Sequence, residues 1–495
     1  MRLTLLSRAS DLAQIQARIV QRVLEGAFPD LHVTRLTRES IGDLRPDDPL
    51  LSLGDKGAFT ADLSGALAAG AADIVVHSWK DLPIDAHADT VIAGTLERAD
   101  PRDVIIVRPE AREERPARLT VLTSSPRRGW MLASHLPGLL PWPVDEVRCA
   151  DVRGNIPTRL RRLREGRGDA LIVAKAALDR LLTADAPFDA AAERVRALVE
   201  GCSWSVLPIR TFPSAPAQGA LAIEVARART DVIARVRAIS HDATFRDVEE
   251  ERAILARHGG GCHLPLGATV LTRAYGRVVS VRVKRGADVE SACRLECEQT
   301  MPPAAAIDGI WPRPDERDTV VRERLPIAPL SLGTDEGLWV ARADAWPGSV
   351  AAGTSRAVWT AGERTWRALA AQGVWVHGCA DGFGDAEPPG IDALLGRAVT
   401  WRRMTHAAAA GGDPDATATY VARRAFPGDL GSRTHFFWSS GTDFTAALER
   451  WPSIRGGWHA SGPGRTARAI GAALLPKERV SVWLDIDAWF AGISR

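Results

Sequence analysis

Short apolar segments alternate with helical patterns through the first two hundred residues, and this order constrains the fold more than any other feature. The apolar segments are residues 3–6, 74–76, 104–107, 119–122 and 170–174. Strands that alternate with helices predict an α/β fold with mainly parallel sheets. Ligands of such sheets bind beyond the carboxyl ends of the strands. Polar residues that directly follow these segments are therefore the candidates for a functional site.

The chain of 495 residues is too long for one hydrophobic core. Its pattern predicts a first α/β lobe at residues 1–95 plus 207–225 and a second at 96–206. A small α+β domain with an antiparallel sheet is predicted at 226–300. Residues 301–332 are rich in proline and charge and predict a linker. Tryptophan becomes commoner beyond it, which predicts a separate α/β module at 333–495.

Charge and hydropathy exclude several classes of partner. The net charge of +2 predicts no bulk attraction to nucleic acid or to a membrane surface. No apolar stretch is long enough to span a bilayer, and the first residues lack the apolar region of a signal peptide. We therefore expect a cytoplasmic protein. Separately, we expect a monomer.

The six cysteines are scattered, so no disulfide framework is expected. Cys293 and Cys297 are spaced like a metal pair, but they alternate with charged residues as in a half-buried strand. We predict that they pack in the core and that the chain has no metal site. Cys262 differs because Gly259, Gly260 and Gly261 precede it and free its backbone. It is either a functional thiol that a cleft can reach or a small buried hydrophobe.

Two basic turns lie between a predicted strand and a predicted helix. In the first, Thr123 and Ser124 precede Ser125, Pro126, Arg127 and Arg128; Ser125 is predicted to cap the helix and Pro126 to occupy its first position. Free amides, hydroxyls and guanidiniums at such a turn would converge on an anion. A well-capped surface helix is the alternative.

The second basic turn contains Arg153, Gly154 and Arg159, and Arg8 and Ser10 lie at the first strand-to-helix turn. Repeated basic strand ends favour a polyanionic ligand over a single phosphate. A solvated helix face is the alternative for the arginines that follow Arg159.

Lys80 and Asp81 follow the apolar segment at 74–76 and precede Pro83. A carboxylate held in a cleft beside cations stays ionised and stabilises a developing positive charge. The two residues are otherwise ordinary surface charges at a strand end.

Together these stretches resemble hydroxymethylbilane synthase, also called porphobilinogen deaminase, over about the first 300 residues. The matching motifs keep the family order and lie at residues 8–10, 54–59, 77–83, 100–103, 123–128, 153–155, 218–220 and 260–262. The resemblance implies two α/β lobes like those of periplasmic binding proteins. It also implies one dipyrromethane cofactor per chain, joined to Cys262 by a thioether.

The implied reaction adds four porphobilinogen molecules with loss of ammonia and releases a linear tetrapyrrole. Asp81 would hold pyrrole N–H groups and stabilise a cationic azafulvene-like intermediate, and Lys80 would assist it. The residues implied to bind the cofactor and the growing polypyrrole, besides Lys80, Asp81 and Cys262, are Arg8, Ser10, Ser78, Thr123, Ser125, Arg127, Arg128, Arg153, Gly154, Arg159 and Arg180.

Four positions depart from the family pattern and put details of the substrate site in doubt. Ser52 stands where many relatives carry lysine, Pro126 replaces an aliphatic residue, and Ala217 replaces a frequent glycine. Arg148 lies farther from Arg153 than is usual, so no role is transferred to it.

The C-terminal module is weakly similar to uroporphyrinogen-III synthase. Its turns at 438–442, 461–466 and 358–362 contain the serine, glycine and proline residues that carry this similarity. An active synthase would convert the linear tetrapyrrole before it cyclises to the wrong isomer. A catalytically silent docking domain is the alternative. For the first 300 residues, the alternative to an enzyme is a two-lobed module that closes on anions without chemistry.

Overall fold

The computed structural model describes residues 1–39, 61–85, 87–260, 264–317, 319–327, 330–384, 387–411, 413–426, 428–474 and 479–494. Cys262, Ser52 and the motif at 54–59 lie outside the described residues. The chain divides into two compact units. The first comprises Met1–Pro137, Pro143–Thr272 and Val278–Cys293, and the second comprises Gly138–Trp142, Arg273–Arg277 and Arg294–Arg495.

Strands and helices alternate along the first 300 residues, as the apolar segments predict. In chain order they are β1 (Arg2–Arg8), α1 (Asp11–Ala27), β2 (His32–Arg38), α2 (Ala61–Ala68), β3 (Ile74–Ser78), β4 (Thr90–Gly94), β5 (Asp103–Val107), α3 (Pro109–Glu114), β6 (Arg118–Leu122), α4 (Pro126–His135), β7 (Glu146–Ala150), α5 (Ile156–Arg164), β8 (Ala170–Ala174), α6 (Lys175–Leu182), α7 (Asp189–Val199), β9 (Ser203–Val206), β10 (Leu221–Ala226), α8 (Thr230–Ala238), α9 (Asp242–Arg257), β11 (Leu266–Arg273), β12 (Gly276–Arg285) and β13 (Asp288–Glu296).

Two five-stranded sheets of the first unit share one pattern. Their strand orders are β2-β1-β3-β10-β4 and β7-β6-β8-β5-β9. In the first, β1 is parallel to β2 and β3, and β10 runs antiparallel to β3 and β4. In the second, β6 is parallel to β7 and β8, and β5 runs antiparallel to β8 and β9. Both sheets are therefore mixed, where the sequence predicted mainly parallel ones.

The antiparallel strands have a topological cause. The chain leaves the first sheet after β4 and returns to it as β10, so β5 and β10 are each the first strand after a passage between the sheets. A helical crossover makes consecutive strands of the same sheet parallel, but no such crossover constrains a strand that arrives from the other sheet. Fully buried residues such as Leu5, Ile74 and Ile223 fix the core of the first sheet. The lobe boundaries at 1–95 plus 207–225 and at 96–206 stay predictions.

A third sheet of the first unit has the order β11-β12-β13. Two-residue connections join its strands, which is the length of an antiparallel hairpin. Ile254 of α9 packs against Leu266, Val270 and Val279 of this sheet. Cys293 lies half-buried on β13, where its Sγ accepts a hydrogen bond from Ser280 Oγ at 3.2 Å. The α+β domain at 226–300 stays a prediction.

The second unit contains two further sheets. Its elements are β14 (Ile310–Trp311), β15 (Val320–Arg324), β16 (Glu336–Val340), β17 (Val358–Thr360), α10 (Glu363–Ala370), β18 (Gly378–Cys379), α11 (Asp392–Leu395), β19 (Thr400–His406), α12 (Ala407–Ala410), β20 (Ala416–Arg424), β21 (His435–Trp438), α13 (Gly441–Arg450), β22 (Trp458–Ser461), α14 (Arg465–Ala473), β23 (Val480–Val482) and α15 (Ile486–Ile493). The sheet orders are β14-β21-β22-β23 and β15-β20-β19-β16-β17-β18.

The linker predicted at 301–332 is wrong. Within it β14 is buried and pairs in parallel with β21, and β15 pairs antiparallel with β20, so this stretch contributes a strand to each sheet of the second unit. Trp311 packs on Trp438 with ring centroids 4.5 Å apart. A two-residue strand is too short to show periodicity, and β15 is an exposed edge strand. Neither therefore leaves an apolar pattern in the sequence.

Candidate active site

Lys80 and Asp81 lie at the carboxyl end of β3 on a short 3-10 turn, Trp79–Asp81. Trp79 anchors the turn. Its buried side chain packs on Phe245 with tilted rings whose centroids are 5.2 Å apart, and its backbone N–H donates to Ala220 O at 3.1 Å. Lys80 is consequently half-buried, whereas Asp81 is exposed. The turn presents one cation and one carboxylate side by side.

The Lys80 ammonium occupies a mixed electrostatic environment. Burial lowers the pKa of Lys80 to about 8, Asp81 and Asp103 oppose this shift, and Arg128 and Arg127 reinforce it. Its Nζ donates a hydrogen bond to Gln218 Oε1 at 3.4 Å. Lys80 therefore titrates close to neutral pH, in contrast to an ordinary surface lysine.

The first basic turn has the predicted backbone. Ser125 caps α4 by accepting from the Arg128 N–H, and Pro126 is at the start of the helix, which confirms both predictions. Arg127 and Arg128, however, do not point their charge at open solvent. Arg127 Nη2 donates to Asp103 Oδ2 at 2.9 Å, and Arg128 Nη2 donates to Asp103 Oδ1 at 2.7 Å.

Asp103 is the centre of this cluster and is only 1% exposed. Burial opposes its ionisation, but the guanidiniums of Arg128 and Arg127 more than offset burial and hold the pKa of Asp103 well below its usual range. The two arginines were expected to converge freely on an anion. Instead, the second sheet supplies its own carboxylate because two buried guanidiniums without a counter-charge would be costly.

The second basic turn opens α5, which Asn155 caps by accepting from the Thr158 N–H. Gly154 has φ +94°, and an added Cβ would lie 2.8 Å from Thr158 Cγ2, so this turn requires glycine. The Gly154 carbonyl accepts from Arg159 Nε at 2.7 Å. Arg153, the residue before Gly154, is half-buried.

Arg159 connects this turn to the Lys80–Asp81 turn. Burial lowers the pKa of Arg159 to about 10, Arg128 adds to the shift, and Asp81 opposes it. One electrostatic environment therefore contains the side chains of Lys80 and Asp81, which follow β3 of the first sheet, and those of Arg128 and Arg159, which lie on α4 and α5 beside the second sheet.

The remaining predicted residues already have local partners. Ser10 caps α1, Ser78 Oγ exchanges hydrogen bonds with the Gln16 amide at 3.0 and 3.1 Å, and Thr123 Oγ1 accepts from the Ser125 N–H at 3.2 Å. Arg8 ends β1 and is half-buried.

Arg180 of α6 reaches across to the segment before β10, where its Nη2 donates to Gly219 O at 2.8 Å. Burial lowers its pKa to about 10. Arg180 therefore holds the same segment that carries Gln218.

Sequence reasoning assigned no role to Asp103 or Gln218, although both lie in motifs that carried the family resemblance. The Gln218 Nε2 donates to Asp103 Oδ1 at 2.9 Å and to Pro101 O at 2.7 Å. A signal for Asp103 was present: an aspartate at the start of the apolar run 104–107 must be paired if that strand is buried on both faces.

The cluster fits a polyanionic cofactor. The Arg128 Nε is buried and has no hydrogen-bond partner among the described residues. A buried donor without a partner is costly, and a carboxylate of the cofactor would satisfy it. Across the same described residues, no group of three or more His, Cys, Asp or Glu side chains is placed to hold a metal ion.

Comparison with known proteins decides the family. Residues 3–234 match the family model described as "Porphobilinogen deaminase, dipyromethane cofactor binding domain". The porphobilinogen deaminase of Bordetella parapertussis is 36% identical over 333 residues, which are 66% of this chain and 98% of that protein. The chain belongs to the porphobilinogen deaminase family. The enzyme of this name from Roseiflexus castenholzii is 38% identical over 271 residues, 54% of this chain and 81% of its own length.

Membership makes the chain an enzyme, a transferase of porphyrin biosynthesis, with a domain that binds the dipyrromethane cofactor. Among solved structures, an arginine transport system periplasmic binding protein from Legionella pneumophila is 11% identical, with a TM-score of 0.25. That match covers 52% of this chain and 99% of the binding protein, and its score is too low to add to the topology above. None of the described helices has the length and apolar character needed to cross a bilayer.

Proposed function

We propose that this porphobilinogen deaminase joins four porphobilinogen molecules into hydroxymethylbilane, with loss of one ammonia per addition, on a dipyrromethane primer held by Cys262. One observation carries the proposal at the level of the site. The Lys80–Asp81 turn, which follows β3 of the first sheet, shares its electrostatic environment with Arg128 of α4 and Arg159 of α5, two helices that pack on the second sheet. A cationic cluster with one exposed carboxylate suits an acidic substrate that becomes positively charged when ammonia leaves.

The arginines have different tasks in this proposal. Asp103 offsets one of the two charges on Arg127 and Arg128, so this group of three retains one positive charge and the unpartnered Arg128 Nε. Further guanidiniums come from Arg8 at the end of β1, Arg153 in the turn before α5, Arg159 in α5 and Arg180 in α6. They bind the acetate and propionate groups, whose number grows as the polypyrrole lengthens. Ser10, Ser78, Thr123 and Ser125 add hydrogen bonds to the cofactor and the polypyrrole. The Gly154 carbonyl orients Arg159 through the 2.7 Å hydrogen bond from its Nε.

Asp81 accepts hydrogen bonds from pyrrole N–H groups and stabilises the positive charge that develops as the substrate loses ammonia. It can do so because its carboxylate is exposed at the end of the turn. Lys80 holds a proton on Nζ at neutral pH and can release it near pH 8. The dipyrromethane group, when bound through Cys262, supplies the pyrrole carbon to which substrate units are added.

Intact-protein mass tests the cofactor assignment. Protein from cells with a complete pathway should carry the mass of one dipyrromethane, and Cys262→Ser should lack it. Cys202→Ser is the matched control, because Cys202 is a free, half-buried cysteine with no proposed role. An unmodified Cys262 that is freely alkylated in the wild-type protein would contradict the proposal and favour a non-catalytic anion-binding module.

We further propose that the second unit is a uroporphyrinogen-III synthase-like module. Three of its helices begin where parallel strands end: α10 follows β17, α13 follows β21 and α14 follows β22. Ser440 caps α13, and glycines precede α10 and α14. Open backbone amides at these helix starts suit the carboxylates of a tetrapyrrole.

Isomer analysis of the product distinguishes an active synthase from a silent docking domain. Purified full-length chain supplied with porphobilinogen should give mainly the type III isomer. The type I isomer alone would show that the second unit performs no ring inversion. Cys262→Ser should give neither isomer from porphobilinogen, yet should convert added hydroxymethylbilane to type III.

A further inference from the structure

The segment that leads into β10 places one buried amide between the two halves of the site. Gln218 is 1% exposed. Its Nε2 donates to Asp103 Oδ1 at 2.9 Å and to Pro101 O at 2.7 Å, while its Oε1 accepts from Lys80 Nζ at 3.4 Å. Lys80 belongs to the first sheet and Asp103 to the second, so a single side chain joins them.

The amide is suited to this position because its two ends differ. The NH₂ end faces two acceptors, and the oxygen end faces a donor. A hydrocarbon side chain would leave the acceptors and the ammonium without these bonds. The Gln218 side chain therefore has one orientation that satisfies its surroundings.

The backbone on both sides of Gln218 adopts left-handed conformations. Ala217 has φ +66° and Gly219 has φ +90°. A Cβ at Gly219 would lie 2.4 Å from Ala99 O, so glycine is required there. Ala217 is the departure from the family glycine noted in the sequence, and an alanine adopts this conformation only when its surroundings hold it.

A buried ion pair holds Ala217. Glu251 of α9 is fully buried and accepts from the Ala217 N–H at 2.6 Å and from the Val270 N–H at 2.6 Å. The same carboxylate binds Arg98 at 2.6 and 2.9 Å, and Arg98 Nε donates to Gln218 O at 2.8 Å. Contacts from α9 and from the segment after β4 thus fix the backbone of Gln218 independently of its side chain.

We propose that Gln218 is a positioning residue for the deaminase reaction: its amide fixes the Lys80 ammonium beside Asp81 by tying it to the Asp103–arginine cluster. The inference rests on the proposed function, because Lys80 receives its role there. Gln218 acts through Lys80 and does not itself touch the reacting atoms.

The test uses holoenzyme with Gln218→Met, which keeps the length of the side chain and removes both polar ends. Gln218→Asn is the second variant, because its shorter amide keeps a polar partner for Asp103 or Pro101 but no longer reaches Lys80. Gln21→Met is the matched control: Gln21 is a half-buried glutamine of α1 that bonds to Val33 O, away from the site.

The decisive readout is the titration of Lys80 itself. The chain has five lysines, Lys56, Lys80, Lys175, Lys284 and Lys477, so acylation of each can be followed by peptide mass spectrometry over a pH series. The chain's own charged groups that act on Lys80 are Asp81, Asp103, Arg127 and Arg128, and both variants leave these groups and the cofactor in place. An acceptor favours the ammonium, so its loss should move the Lys80 midpoint of both variants below that of the wild-type holoenzyme.

Turnover provides the second readout. Both variants should retain the cofactor mass and lose about tenfold in kcat with KM nearly unchanged, because a charged hydrogen bond that orients the group is lost. Gln21→Met should match the wild type in both readouts. A folded Gln218 variant with an unchanged Lys80 midpoint would overturn the inference, whatever its melting temperature. A wild type that makes no product would instead refute the proposed function, while the Lys80 titration would still test Gln218.

Discussion

Replacing Asp103 by asparagine tests how the arginine cluster is held together. Asp103 is 1% exposed and accepts hydrogen bonds from Arg127, Arg128 and Gln218. Asp103→Asn leaves two buried guanidiniums without their counter-charge. Breaking a buried ion pair in this way costs about 3–5 kcal/mol of unfolding free energy.

The expected shift in melting temperature follows from that free energy. A unit of this size loses about 2–4 °C per kcal/mol, so Asp103→Asn should lower the transition of the first unit by about 6–20 °C. Calorimetry of the full-length chain is the appropriate assay, because a chain of two compact units need not melt in one transition.

Asp185→Asn is the matched control. Asp185 also accepts a hydrogen bond from an arginine, Arg22, at 2.6 Å, but the two side chains are 60% and 52% exposed. Water and salt screen a surface pair of this kind, so the transition should move far less than it does for Asp103→Asn. Equal shifts in the two variants would refute the argument that burial makes the Asp103 cluster important.

The pH dependence of the Asp103 effect has a definite sign. The folded-state pKa of Asp103 is depressed below its unfolded value of about 3.9. The contribution of Asp103 to the free energy of unfolding is therefore complete above its unfolded-state pKa and is lost as the pH falls through its folded-state pKa. The difference between wild type and Asp103→Asn should stay constant from about pH 8 to pH 5 and shrink only in stronger acid.

Three further predictions test other parts of the chain. Asp81→Asn should retain the cofactor mass and lose most turnover, and near-normal product formation would remove Asp81 from its proposed role. Burial lowers the pKa of His459 to about 4. Its neutral imidazole should therefore contribute fully to the free energy of unfolding above about pH 6.5, and that free energy should fall by about 3 kcal/mol as the pH approaches 4. Urea unfolding followed by tryptophan fluorescence should show this slope, and His459→Gln should flatten it. Gly219→Ala should destabilise the first unit more than Gly166→Ala does. Both glycines have positive φ, but of the two only Gly219 has a neighbour, Ala99 O, within 4 Å of an added Cβ. Equal melting temperatures of the two variants would contradict this.

The order of the elements was predictable from the sequence. Apolar runs and helical spacing predicted the strand–helix alternation of the first lobes, because burial imposes these periods locally. Ser125 and Pro126 predicted the start of α4 for the same reason: a cap and a first-turn proline depend only on their own turn. The exact motifs also carried the family resemblance that the comparisons support.

Pairing across long sequence separations was not predictable. The antiparallel direction of β5 and β10 depends on how the chain passes between the two sheets, and no local sequence pattern predicts that direction. The strands β14 and β15 were read as a linker for a related reason. Their partners β21 and β20 lie about a hundred residues later, and they are too short or too exposed to show a period.

The sequence by itself determined which groups the site can use: basic turns at strand ends, a lysine–aspartate pair and a glycine-flanked cysteine. Only the tertiary structure decided how their charges are distributed. It placed Asp103 against Arg127 and Arg128, and it joined that cluster to Lys80 through Gln218. The physical reason is that burial forces each charge to find a partner, and these partners come from strands that meet only after the chain has folded.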